Sequence, residues 1–273
     1  MKKIIIAFDG THFSEGAFEF AQRLNQLQSV LLTGIFLPQT EIGYLWSYAD
    51  GVSVPFIPQL ETGDAELIQQ NIARFEKQCT SNNIDFRVHK DFYDLALPEL
   101  KKESRFADLL IIGSEVFYKN MGTHMPNEYL RDTLHDIACP VLLVPEKYDF
   151  PESIILAYDG SDEAVFAIKQ FACLFPELTN RKTMLVYAHK DATKDIPDKI
   201  LIEELAARHF SDLTLFKLNA DPQKDFSNWV MEKKSAILVS GSYGRSDISQ
   251  IFKNSFIQNI ITDHRLPVFI AHK

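Results

Sequence analysis

The sequence predicts two tandem α/β units, each a doubly wound, parallel, five-stranded sheet. Three observations carry that expectation. Residues 3–10 read KIIIAFDG and residues 153–160 read SIILAYDG. Residues 107–114 read ADLLIIGS and residues 235–242 read SAILVSGS. Each half then closes on a similar segment, ACPVLLVP at 138–145 and RLPVFIAH at 265–272. Matched segments in one order are the signature of an internal repeat. Short apolar runs ending in Asp-Gly are the pattern of buried parallel strands entering a turn.

Each first strand runs into a helical pattern, SEGAFEFAQRL and SDEAVFAIKQFACLF, with Ser14 and Ser161 as N-caps and acidic residues in the first turn. In the N-terminal half, a strand at 30–37, helix at 61–80, strand at 84–90 and helices at 94–104 and 126–137 complete the unit. In the C-terminal half the corresponding segments are 182–188, 196–209, 212–218, 225–234 and 250–263. Each half therefore reads βαβαβαβαβ, and right-handed crossovers place helices on both faces of a parallel sheet. The domains are 1–146 and 151–273, joined by PEKYDFP at 145–151. The N-terminal half has surplus length after its second strand, in the aromatic-bearing segment 38–60. Long loops of this kind are often functional. It is either a lid or partner surface, or a segment pinned to its own domain.

Composition excludes some functions. Hydrophobic residues make up 46% and charged residues 24%, ordinary for a globular chain. The net charge of −9 and the absence of any Lys/Arg block argue against a nucleic-acid partner. The apolar run after Met1-Lys2-Lys3 stops at Asp9, too soon for a signal peptide. No run reaches the length of a membrane span, so the expected location is cytoplasmic, without membrane contact. Cys79, Cys139 and Cys173 are odd in number and lack CxxC spacing, which suits thiols in a reducing compartment. His12, His124, His135 and His264 share no ligand spacing, which argues against zinc. No nucleophile elbow or Walker loop occurs, and no general base stands beside the glycine-rich stretch. There is thus no catalytic or metal-ligand assignment.

The strand ending in Asp-Gly, the glycine-rich stretch after the fourth strand and the closing Pro-Val strand together resemble the universal stress protein family in its tandem form. The resemblance covers essentially the whole chain. It implies an adenine-nucleotide α-hydrolase-like fold with strand order 3-2-1-4-5 and a phosphate loop of pattern G-x2-G-x9-G-(S/T). The C-terminal half has Gly241-Ser242-Tyr243-Gly244, then 245–253, then Asn254-Ser255, so the spacing is kept and Asn254 replaces the third glycine. In the N-terminal half only Gly113 survives, with Glu115, Val116 and Pro126 acting against an anionic ligand.

In an open parallel sheet, ligands sit beyond the carboxyl ends of the strands where the strand order reverses. That rule sets Asp159 and Gly160 opposite Gly241. Glycines there let backbone N–H groups approach phosphate, as does a helix beginning near Ser255. The resemblance implies a site of Asp159, Gly160, Ala188, Gly241, Ser242, Gly244, Arg245, Asn254 and Ser255 for ATP or another adenine nucleotide with Mg²⁺. Asp159 and Asp9 either face such a pocket or simply form the turn. Turnover would be at most slow ATP hydrolysis. Two alternatives stay open: a stress or scaffold protein that binds no nucleotide and acts on protein partners, and a sensor of another small ligand. By resemblance, the halves pair as an intramolecular pseudo-dimer, with further dimerisation open.

Overall fold

A computed structural model describes residues 1–37, 62–90, 96–115, 137–219, 221, 225–241 and 265–271. Strands β1 (Lys2–Phe8), β2 (Val30–Phe36), β3 (Asp85–Lys90), β4 (Leu109–Gly113) and β5 (Val141–Val144) alternate with helices α1 (Glu15–Leu27), α2 (Thr62–Ser81) and α3 (Ala96–Ser104). The second set is β6 (Ser153–Ala157), α4 (Asp162–Leu174), β7 (Lys182–His189), α5 (Lys199–His209), β8 (Leu213–Asn219), α6 (Asp225–Met231), β9 (Ala236–Gly241) and β10 (Val268–Ala271). The 38–60 segment and the expected helices at 126–137 and 250–263 lie outside the described residues, apart from Ile137.

The strands form one ten-stranded sheet in the order β3-β2-β1-β4-β5-β10-β9-β6-β7-β8. Within each five, neighbours run parallel. The fives meet where β5 and β10 pair antiparallel, with Leu142 opposite Phe269. The two expected sheets are thus continuous, because each closing strand covers the apolar edge of the other.

Side-chain alternation builds the two faces. Ile4, Ile6 and Phe8 enter one core, Ile5 and Ala7 the other. Across the join, Leu142, Val144, Phe269 and Ala271 continue the first core, while Val141, Leu143, Val268 and Ile270 continue the second. Helices α1, α2, α4 and α5 cover the first core, and α3 and α6 the second. Aromatic packing fills the first. Phe8 stacks on Phe36 with centroids 4.9 Å apart, and Phe171 meets Phe269 edge-on at 5.3 Å.

The caps follow the sequence. The Ser14 and Ser161 hydroxyls accept from the amides of Ala17 and Ala164 at 3.3 and 3.2 Å. Helix α5 begins at Lys199 rather than 196, because Asp198 is left-handed at φ 44° and breaks helical hydrogen bonding before it. Among the described residues, no helix is long and apolar enough to cross a membrane.

Candidate functional site

The two halves carry different chemistry at the carboxyl ends of their first strands. In the C-terminal half a small, open cleft lies where β6 is flanked by β7 and β9. Its floor and walls include Ala157, Asp159, Val186, Ala188, Ser240 and Gly241, with Ser161 and Ala164 from the start of α4 and Phe226 from α6. Of the residues expected at a nucleotide site, Asp159, Ala188 and Gly241 therefore come together. Ser242, Gly244, Arg245, Asn254 and Ser255 lie outside the described residues.

Local turn chemistry places Asp159. Gly160 has φ 88°, a conformation that favours glycine, and turns the chain at the strand end. The Asp159 carboxylate is exposed, and its Oδ1 accepts from the Ser161 amide at 2.9 Å. Gly160 does not line the cleft. A Cβ there would fall 2.7 Å from the Pro197 side chain, so the glycine also makes room for the segment before α5. The Tyr158 hydroxyl donates to the Pro197 carbonyl at 3.0 Å. Burial raises the Tyr158 pKa, and the charges of Asp198 and Asp159 raise it further.

Gly241 has a structural reason of its own. A Cβ on it would lie 2.4 Å from the Glu163 carbonyl carbon and 2.6 Å from the Ala164 amide nitrogen. The end of β9 is thus flush against the first turn of α4. Among the described residues, none that lines the cleft is positively charged. Beyond the ends of β7 and β8, Lys190 is paired with Asp221 at 2.7 Å, which raises the lysine's pKa.

The N-terminal half is arranged otherwise. Gly10 makes the same turn, at φ 91°, but Asp9 is buried, with 5% exposure. Its Oδ1 accepts from the His12 amide at 2.8 Å, and its Oδ2 lies 2.8 Å from His12 Nδ1. The Thr11 hydroxyl lies 3.3 Å from Asp9 Oδ1. The start of α1 is capped from the joint between the halves. The Ser14 hydroxyl donates to Glu146, and the amides of Glu15 and Gly16 reach Glu146 Oε2 at 3.1 and 3.4 Å. Glu115, expected to oppose an anion, accepts from the Glu146 amide at 3.2 Å. Val116 and Pro126 lie outside the described residues. Sequence reading treats His12 as one of several scattered histidines. The signal it passes over is the Asp9-x-x-His12 spacing directly after a strand. Among the described residues no cluster of three or more metal-binding side chains occurs.

No family model matches the chain, and no curated protein matches it. Among solved structures, a truncated 3-deoxy-D-arabino-heptulosonate 7-phosphate synthase from Thermotoga maritima aligns over 96% of this chain and 84% of that one at 15% identity. Its TM-score of 0.16 is too low to support an argument. A universal stress protein from Archaeoglobus fulgidus aligns over 100% of this chain and 96% of that one, at 15% identity, with a TM-score of 0.67. The α/β architecture, with its mostly parallel sheet, is the fold of that universal stress protein.

Proposed function

We propose that the chain is a universal stress protein that binds an adenine nucleotide in its C-terminal half. The observation that carries this reading is the cleft itself. It opens at the carboxyl ends of β6 and β9, where a doubly wound sheet takes its ligands. Its walls suit the base and sugar of a nucleotide. Val186, Ala188 and Phe226 offer apolar surface to a ring, and the exposed Asp159 carboxylate offers an acceptor to a ribose hydroxyl. Phosphates and Mg²⁺ would fall to the 241–255 stretch, where Gly244, Arg245 and Ser255 keep the expected spacing around Asn254.

One observation favours the reading without nucleotide. Gly241 is required by the close approach of α4 whether or not a phosphate is bound. Its presence therefore fits a scaffold as well as a binding loop. Titration calorimetry with ATP and Mg²⁺ separates the two. The expected result is binding by the wild type and none by Gly244→Val, with Asp9→Ala unchanged. Charge-assisted phosphate hydrogen bonds contribute about 1.5–3 kcal/mol each, so one lost contact weakens binding roughly ten- to hundredfold. Binding by Asn254→Gly alone would show that Asn254 closes the site. No heat from either protein would leave the scaffold reading.

A further inference from the structure

We propose that the outer edge of β8 is a dimer interface, pairing antiparallel with β8 of a second copy about a two-fold axis normal to the sheet. The join of β5 to β10 leaves the ten-stranded sheet with two outermost strands, β3 and β8. An outermost strand presents unpaired N–H and C=O groups to any other strand, and charged side chains are a common guard against such pairing.

The two edges are guarded differently. β3 carries Asp85 and Arg87, both exposed, and the Arg87 guanidinium donates to the Phe86 carbonyl at 2.8 Å. His89 is held by Glu103 of α3 at 2.6 Å. β8 reads LTLFKLN, and its single charged residue, Lys217, folds back onto the Ala192 carbonyl. Leu213 and Leu215 pack on the first core and Phe216 and Leu218 on the second, yet all four are only half-buried. One strand inward, Leu185, Val186 and Tyr187 of β7 are buried. The β8 edge thus keeps apolar surface on both faces that one more strand would cover.

Its backbone is available too. The Thr183 amide donates to the Asp212 carbonyl at 2.8 Å. Residues of a parallel strand alternate in the neighbour they bond, so Thr214, Phe216 and Leu218 face β7 while Leu213, Leu215, Lys217 and Asn219 turn their amides and carbonyls outward. None of these outward groups has a backbone partner among the described residues.

A second copy fits this edge better than an unrelated peptide. The chain already joins its own halves by antiparallel pairing of apolar edge strands, with Leu142 opposite Phe269. A two-fold axis normal to the sheet repeats that solution between molecules. It sets the Leu213–Leu215 row against its own mate on one face and the Phe216–Leu218 row on the other. One contact then covers both edges and closes the assembly. The seven-residue edge is about 23 Å long and, with a helix layer on each face, about 30 Å deep, which offers about 700 Å² per copy against the roughly 800 Å² of a stable interface.

The test is sedimentation equilibrium on the full chain and two variants. Leu215→Pro removes an outward amide, and Thr214→Lys puts a charge at an exposed position of β8. The wild type should dimerise with a micromolar or tighter dissociation constant, and each folded variant should weaken it by about tenfold or more. Hydrogen exchange adds a signature of the edge. The amides of Leu213, Leu215, Lys217 and Asn219 should gain protection as the concentration rises through dimerisation, whereas those of Thr214, Phe216 and Leu218 are protected throughout. If Leu215→Pro does not fold, Thr214→Lys and the exchange pattern decide. A wild type that stays monomeric to millimolar concentration overturns the proposal. So does a dimer that folded Thr214→Lys leaves intact, or outward amides whose exchange ignores concentration. A monomer whose outward amides are protected by a co-purifying peptide assigns the edge to another partner and overturns it as well.

Discussion

Glu146 Oε2 accepts from the backbone amide of Glu15 at 3.1 Å, so the joint between the halves supplies the anionic cap of α1. The cap is a long-range one. Its hydrogen bond from Ser14 spans 132 residues of chain, and Tyr148 and Phe150 of the same joint pack against Phe20 of α1 at 5.7 and 5.1 Å. A carboxylate at a helix N-terminus is favoured both by the free amides and by the helix dipole.

Replacing this cap should therefore cost stability without touching the C-terminal cleft. Glu146→Ala is expected to lower unfolding free energy by about 1–2 kcal/mol, and Glu146→Gln by less, since Gln keeps an acceptor. Urea unfolding measures both. Added sulfate should stabilise Glu146→Ala more than the wild type, because an anion can occupy the vacated amides. Equal sulfate effects in the two proteins would mean that the carboxylate is not acting as a cap.

Gly241 should prove necessary for folding before it is necessary for any ligand. Gly241→Ala places a methyl group 2.4 Å from the Glu163 backbone, which α4 must move to admit. Overpacking of this kind costs roughly 1–3 kcal/mol. The melting temperature of the variant should fall in nucleotide-free buffer. An unchanged melting temperature with weakened nucleotide binding would instead assign the glycine to the ligand.

The buried thiols should make the protein sensitive to alkali. Burial raises the pKa of both Cys79 and Cys139 from 9.0 to about 12. The folded state therefore keeps these protons above the pH at which the unfolded chain releases them. Their contribution is fully present below about pH 9 and is lost as pH rises towards 12, because the unfolded state then binds fewer protons. Burial raises Tyr148 as well, with Glu19 adding to the shift, so its contribution is lost in the same direction. Denaturant unfolding at pH 7 and pH 10.5 should show the decline. At neutral pH a thiol reagent should label exposed Cys173 in the native protein and all three cysteines after denaturation. Rapid native labelling of Cys79 or Cys139 would contradict the burial argument.

Most of the local structure is legible in the sequence. Apolar runs such as Ile4–Phe8 and Ile237–Val239 are strands because buried parallel strands need both faces apolar. Asp-Gly after β1 and β6 marks a turn that glycine enters at positive φ, and Ser14 and Ser161 announce the helices that follow. These signals act within a few residues, so spacing alone reveals them. The same signals miss the start of α5, because the left-handed Asp198 leaves no mark in the hydrophobic period.

The tertiary structure decided what depends on residues far apart in the chain. Pairing of Leu142 with Phe269 makes one sheet of ten strands, since each edge finds its cover in the other half. Glu146 closes α1 only because β5 ends beside the start of that helix. Gly241 meets Glu163, and so acquires a packing role that a loop motif does not express. Asp9 is buried and Asp159 exposed although both precede glycine at a strand end; His12 folds its ring onto Asp9, while among the described residues Asp159 holds a backbone amide. Identical turns thus acquire different chemistry, because burial and hydrogen-bond partners are set by packing rather than by sequence spacing.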